Sequence, residues 1–252
     1  MPFSSYTYTV IPYAQIDTIF LDVGNTLISI DYDWVASELA SRDVECLPDA
    51  LRRAEAAARP GFSHRLFVDG VDEGVDLFGA YLLAMLDKLD VTAPLPASHL
   101  DSLVAELIPV LRPDGRASVL WRSVMPRVPE ALARLRGLGV TLAVVSNSDG
   151  TVERSLEAAG LRSYFSAVID SAVAGYEKPD ARIFHRAIDA CGAQPDRTLH
   201  VGDLYHADVA GARGADLHAL LLDPFDDWPS LDCERAPDVW AVADLVMRAR
   251  SA

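Results

Sequence analysis

The sequence predicts an α/β fold: a mostly parallel sheet covered by helices on both faces, with a long all-helical segment inserted near its start. Three observations predict it. Five short apolar runs read as buried strands. Helical patterns separate the later runs, the alternation that builds a parallel sheet. The gap between the first two runs, from about residue 30 to about residue 120, is far too long for one crossover helix.

The strand runs are Ile16–Leu21, Thr141–Val145, Ala167–Ile169, Thr198–Val201 and Ala219–Leu222. Pro129–Leu138 carries Ala131, Leu132, Leu135 and Leu138 at helical spacing, and Gly139 stops it. Val152–Ala159 ends at Gly160 and Ala181–Ala190 ends near Gly192. Asp208–Arg213 is a short Gly-rich helix, and Ala241–Ala249 is a final helix covering the sheet. Inside the long gap, four helices are expected: Trp34–Arg42, Pro48–Arg59, Asp72–Leu89 and Ala97–Leu111. Pro60-Gly61, Pro94 with Pro96, and Pro113-Asp114-Gly115 break the gap into those pieces. The expected organisation is a core formed by residues 1–30 and 119–252, with a helical domain inserted at 31–118.

Composition narrows the partners. The 252 residues are half hydrophobic, enough to bury a sizeable core. With 22 basic and 37 acidic residues the net charge is −15, which repels nucleic-acid backbones and anionic lipid. Cys46, Cys191 and Cys233 are odd in number and widely spaced, and read as thiols of a reducing compartment. The first fifteen residues carry Tyr6, Tyr8 and Tyr13 but no Lys or Arg, so no signal peptide is expected. No apolar run approaches the ~20 residues of a membrane span. A soluble cytoplasmic protein is expected; its oligomeric state and the role of the Tyr-rich start stay open.

Ligands of an open parallel sheet bind beyond the carboxyl ends of its strands. Asp22 follows the first run, Ser146 and Asn147 the second, Lys178 lies a few residues beyond the third, and Asp203 and Asp208 follow the fourth. Taken singly, each has an ordinary role as a turn, cap or solvated loop residue. Their placement at successive strand ends argues for a shared site. Lys178 is one of two lysines in a chain with twenty arginines, which suggests a position wanting a compact point charge. Carboxylates gathered at one edge repel unless a cation sits among them, and an oxygen donor set favours Mg²⁺. Such a site would hold a dianionic phosphate against an attacking Asp22.

In this order, Asp22 with Thr26, the apolar-Ser146-Asn147 stretch, Lys178-Pro-Asp and Gly202-Asp203-x4-Asp208 resemble the haloacid dehalogenase superfamily of hydrolases. The resemblance covers the whole Rossmann-like core, and the long helical segment matches the family's inserted C1-type cap. It implies that Asp22 is the nucleophile, forming an aspartyl-phosphate, and that Lys178 neutralises nucleophile and phosphate. It implies that Ser146, with Thr26 and Asn147, binds phosphate. It implies that Asp22, the Gly24 carbonyl, Asp203 and Asp208 serve Mg²⁺, Asp208 through the metal's waters. The function it implies is hydrolysis of a small phosphorylated metabolite.

One position departs from the pattern. Family phosphatases usually carry a second Asp two residues after the nucleophile, as acid for the leaving group and base for water. Here that residue is Gly24. Three other readings stay open: a 2-haloacid dehalogenase, a phosphonate hydrolase using a cap lysine, or a phospho-ligand binding protein without turnover. Lys88 would be that cap lysine, although Asp87 and Asp90 beside it suggest a solvated helix end. His206 is a candidate replacement acid–base or a surface loop residue. His64-Arg65, expected in a break of the helical segment, is a candidate substrate contact or a solvated connector. Asn25 is a candidate for positioning a water.

Overall fold

The computed structural model describes residues 10–70, 76–90, 97–113 and 119–251. Tyr6 and Tyr8, the start of the Asp72–Leu89 helix, Pro94, Pro96 and Asp114-Gly115 lie outside the described residues. The chain divides into two compact units, Met1–Leu27 with Met125–Ala252, and Ile28–Val124.

The first unit is a six-stranded sheet of Rossmann-like topology flanked by helices, in the order β5-β4-β1-β6-β7-β8. Its strands are β1 (Thr18–Leu21), β4 (Thr141–Ser146), β5 (Ala167–Asp170), β6 (Thr198–Gly202), β7 (His218–Leu222) and β8 (Glu234–Ala236), all paired in parallel. Five of them coincide with the apolar runs to within two residues at each end. β8, with the sequence ERA, was not expected, because a three-residue polar edge strand leaves no apolar signal. The chain winds from β1 outward through β4 to β5, then returns to the other side of β1 for β6, β7 and β8. The winding reverses at β1, which makes its carboxyl end the topological switch point where open α/β sheets bind ligands.

Both faces are buried. Phe20, Ala143, Val145, Ala219 and Leu221 pack with Ile183, Phe184 and Ala187 of α8 (Ala181–Cys191). α5 (Val128–Gly137) and α10 (Val239–Ser251) are also packed against each other, burying Leu132, Leu135, Val242 and Val246. α6 (Val152–Ala158), α7 (Ser171–Ala174) and the short α9 (Gly211–Arg213) complete the unit.

The second unit holds α1 (Tyr32–Ala40), α2 (Pro48–His64), α3 (Leu77–Asp87) and α4 (Ala97–Leu111) around a core that includes Leu51, Leu82, Met85 and Leu107. It also contains an antiparallel pair absent from the sequence reading, β2 (Ile28–Ile30) with β3 (Trp121–Val124). These strands are three and four residues long, and β3 is only half-buried, so neither shows a clean period of two. Pro60-Gly61 does not end α2, contrary to expectation. The helix runs through it to His64 and into a π-helical turn, Arg65–Asp69. Buried Ala54, Glu55, Ala58, Arg59 and Ser63 continue along one face across the proline, so packing outweighs the lost N–H. His64-Arg65 therefore lies on helix rather than in a break, with His64 exposed and 3.5 Å from Asp69.

Candidate active site

Asp22 directly follows β1. Leu21 is in register with Val144 on one side and Val201 on the other, and the Asp22 N–H donates to the Val201 carbonyl at 3.0 Å. The sheet therefore sets Asp22 between the ends of β4 and β6. Ser146, the last residue of β4, donates its hydroxyl to Asp22 Oδ1 at 3.0 Å. Lys178 Nζ reaches the same oxygen at 2.7 Å and Asp208 Oδ1 at 2.6 Å. Asp203, one residue beyond β6, is buried and accepts from Asn25 Nδ2 at 3.3 Å.

Each arrival has a local cause. Lys178 sits in the loop after α7, which Gly175 closes with a φ of 77°. Asp180 then starts α8 by accepting the Arg182 N–H at 2.9 Å. The Lys178–Pro179 peptide is cis. Asp208 lies in a π-helical turn, Tyr205–Ala210, straight after β6. Its carboxylate folds back over Gly202, where a Cβ would collide with it. Gly211, the first residue of α9, follows the turn, and a Cβ there would stand 2.8 Å from Pro179 Cα. Two glycines thus let the turn bearing Asp208 and the loop bearing Lys178 approach closely.

The electrostatics follow from burial and pairing. Lys178, Asp208 and His200 are 2%, 1% and 0% exposed. Burial works against the Lys178 ammonium, yet Asp208 and Asp22 outweigh it and raise its pKa. Burial pushes the Asp208 carboxyl up, but Lys178 and His200 hold it well below the usual carboxylate range. His200 Nε2 lies 3.0 Å from Asp208 Oδ1, while burial lowers its pKa and keeps the ring neutral. Its other nitrogen, Nδ1, is buried and has no hydrogen-bond partner among the described residues. His200 was not foreseen: it is the one polar ring in the run TLHV, and the run was read only as a strand.

The structure brings Asp22, Ser146, Lys178 and Asp208 into direct contact. Two expected ligands have other partners. Asn147, expected on phosphate, instead accepts the Lys178 N–H on Oδ1 at 2.6 Å and donates Nδ2 to the Lys178 carbonyl at 2.9 Å. Asp208, expected at the metal, gives Oδ1 to Lys178 and His200, and Oδ2 to the Leu204 N–H at 2.9 Å. Thr26 is buried, and its hydroxyl has no hydrogen-bond partner among the described residues. Lys88 is half exposed and paired with Asp87 at 3.2 Å. His206 packs edge-on against Tyr205.

Among the described residues no three His, Cys, Asp or Glu side chains form a metal-holding group. Magnesium does not require one, since it keeps several waters and takes one or two carboxylates with substrate phosphates. Asp22 and Asp203 at adjacent strand ends, with one ammonium against three buried carboxylates, fit such an ion in donor chemistry and in charge.

A family model for haloacid dehalogenase-like hydrolases matches residues 16–216. The chain belongs to this family of hydrolases. It is 29% identical over 211 residues to human haloacid dehalogenase-like hydrolase domain-containing protein 3, covering 82% of each chain. It is 38% identical over 126 residues to the bovine protein of that name, 49% of this chain and 50% of that one. Over 102 residues it is 40% identical to a phosphoserine phosphatase of Thermus thermophilus, 39% of this chain and 41% of that one. The bovine and Thermus matches thus span half or less of those relatives. Two solved structures share the fold: a HAD phosphatase from Thermococcus onnurineus (18% identity, TM-score 0.54, 92% of this chain and 98% of that one) and a 2-haloacid dehalogenase from Pseudomonas syringae (22%, 0.53, 92% and 99%). No helix among the described residues is long and apolar enough to cross a membrane.

Proposed function

We propose that this chain is a Mg²⁺-dependent phosphatase of small phosphorylated metabolites that works through an aspartyl-phosphate on Asp22, with the helical unit as the cap that sets specificity. The observation that carries the reading is the convergence at the end of the central strand. There Asp22 is held by Ser146 and Lys178, Lys178 also binds Asp208, and Asp203 is buried at the neighbouring strand end. Family membership and the phosphatase named among the relatives support the same choice.

Asp22, the Gly24 carbonyl and Asp203 would hold the ion, while Asp208 serves Lys178. When bound, Mg²⁺ supplies a Lewis acid that offsets the charge of a phosphate beside carboxylates. Ser146 and Lys178 fix the Asp22 carboxylate. An Asp22 oxygen forms a bond to phosphorus as the ester P–O bond breaks, and the departing oxygen takes a proton. Lys178 and the hydroxyls of Ser146 and Thr26 would bind the phosphoryl oxygens, the Ser146 proton turning from Asp22 to do so. Water then attacks the acyl phosphate at phosphorus, loses a proton, and frees inorganic phosphate and the Asp22 carboxylate.

Gly24 keeps its backbone carbonyl and lacks the side chain that would move those protons. General acid–base catalysis is worth roughly 10²–10⁴-fold, and a good leaving group needs less of it. An acyl or aryl phosphate should therefore outrank alkyl phosphates. Gly24→Asp should raise the rate on alkyl phosphates by about 10²-fold; an unchanged rate means the proton comes from elsewhere. Lys88, the lysine the phosphonate route would use, is solvated and ion-paired with Asp87, which favours the phosphatase reading.

The test is phosphate release from aryl, acyl, sugar and nucleotide phosphates, with Mg²⁺ and with EDTA, against Asp22→Asn. Mg²⁺-dependent release, reduced at least ~10³-fold in the variant, is the expected result. Silence on phosphates with turnover of haloacids would replace this reading by the dehalogenase one. Phosphate binding without turnover would leave a binding protein.

A further inference from the structure

We propose that Asn147 is the positioning residue of Lys178, fixing where the ammonium meets Asp22. The proposal rests on the reading of Asp22 and Lys178 as the reacting pair. Asn147 spends both ends of its amide on one residue, thirty-one positions further on: Oδ1 accepts the Lys178 N–H at 2.6 Å and Nδ2 donates to the Lys178 carbonyl at 2.9 Å. A single hydrogen bond lets a loop swing about it. Two bonds from one planar amide fix both the position and the tilt of the backbone they hold.

The clamp is anchored on the sheet. Asn147 directly follows β4, whose last residue, Ser146, is in register with Asp170 of β5. Ser146 holds Asp22 Oδ1, and the next residue holds the Lys178 backbone. One dipeptide at a strand end therefore sets both partners of the 2.7 Å Nζ–Oδ1 contact. A lysine side chain has four rotatable bonds, so its ammonium is no better placed than its backbone and the groups around its head. A misplacement of about 1 Å at a reacting pair costs about 10²-fold in rate. Asparagine suits the task because it offers an acceptor and a donor on a short stem. Aspartate would set a carboxylate against the Lys178 carbonyl, and serine is too short to reach both atoms.

The test is a double-mutant cycle of Asn147→Ala with Lys178→Met, read as kcat and KM on an aryl phosphate, with circular dichroism and Tm to establish folding. Asn147→Ala should lower kcat by about 10–10²-fold. In the Lys178→Met background the same change should add less than about twofold, because the residue it acts through is gone. Equal factors in both backgrounds would overturn the proposal, since a direct phosphate ligand or a merely structural residue adds independently. An unchanged kcat in Asn147→Ala would overturn it too. If Lys178→Met does not fold, Lys178→Gln, which also removes the ammonium, serves as the second background with the same criteria. If the wild type turns over no substrate, the phosphatase reading fails separately. The cycle is then read on affinity for inorganic phosphate with Mg²⁺, where additivity, or no binding at all, overturns the role of Asn147.

Discussion

The protein buries charge in two places, and the two are built on different principles. In the helical unit, Glu55 and Arg59 are one turn apart on α2 and buried. Arg59 Nε and Nη2 donate to the Glu55 carboxylate at 3.0 and 2.5 Å, and the Tyr81 hydroxyl donates to it at 3.1 Å. The pair is local and its formal charges cancel. In the sheet unit, Lys178 bridges Asp22, 156 residues away, and Asp208, 30 residues away, with Asp203 buried at the neighbouring strand end. Among the described residues one ammonium touches two of the three carboxylates, and burial holds the His200 imidazole towards its neutral form. A helix can bring two opposite charges together by spacing alone. A parallel sheet edge gathers like charges from distant parts of the chain, and among the described residues these carboxylates outnumber the ammonium that touches them, which favours a further cation. The neutral pair is architecture; the unbalanced cluster is built to receive something.

The largest effects should come from breaking each cluster. Lys178→Met should reduce turnover at least ~10³-fold. It should also cost about 3–5 kcal/mol of stability, because buried carboxylates lose their partner. Arg59→Met takes the guanidinium from buried Glu55 and should cost a similar amount. Magnesium separates the two. Added Mg²⁺ should recover part of the lost stability in Lys178→Met and none in Arg59→Met, read as Tm with and without EDTA. The double replacement Glu55→Leu with Arg59→Met should return close to wild-type stability, as buried ion pairs often do when both charges are exchanged for apolar groups. Recovery of Arg59→Met by Mg²⁺ would erase the distinction between the clusters.

Much of this was legible in the sequence, for a reason the contrast makes plain. Asp22, Ser146 and Asp203 stand at or just past the ends of apolar runs, with Lys178 and Asp208 a few residues further on, and a parallel sheet carries such strand ends to one edge whatever lies between. The partner of each side chain was not legible. Asn147 beside Ser146 reads as a second phosphate ligand, and nothing in the order SNSDG shows that its amide also turns to a backbone 31 residues later. Asp208 reads as holding the metal's waters, and spacing does not reveal that both its oxygens also take protein donors. His200 was hidden inside a strand. The Glu55–Arg59 pair was passed over although its i,i+4 spacing was visible, since spacing alone does not say that a helical ion pair is buried. Pro60-Gly61 shows the same limit: local punctuation predicts a break, and the packing of a continuous face overrides it.

A middle-sized effect should sharpen the view that close backbone approach sustains the unbalanced cluster. Gly202→Ala adds one methyl, and that methyl collides with the Asp208 carboxylate. Overpacking of this kind costs about 1–3 kcal/mol. Because Asp208 grips Lys178, kcat should fall by more than the loss of stability alone explains. Gly61→Ala in α2 is the control: its Cβ meets nothing within 4 Å, so Tm should rise slightly, as for a helical glycine, and kcat should barely move. An equal loss of activity in both would mean that the Gly202 contact has no special place in the site.

The smallest effect should appear in the pH dependence of stability, where the groups of the unbalanced cluster act in opposite directions. His200 is held neutral by burial, so its folded pKa lies below its unfolded value of about 6.5. The unfolded chain binds the proton more readily, and stability should fall as pH drops below about 6.5. Asp208 is also depressed in the folded state, because Lys178 and His200 outweigh burial. Its contribution is fully present above about pH 4 and is lost as pH falls further towards its folded value. Lys178 is raised, since Asp208 and Asp22 outweigh burial. Its contribution is present below about pH 10.4 and is lost as pH rises through its folded value. These three groups together place a plateau between about pH 6.5 and pH 10. His200→Phe removes the first loss, so its denaturation midpoint, followed from pH 7 to pH 5, should fall less steeply than that of the wild type. Equal slopes would show that the imidazole behind Asp208 takes up its proton as readily in the fold as outside it, and that the charge excess is smaller than burial implies.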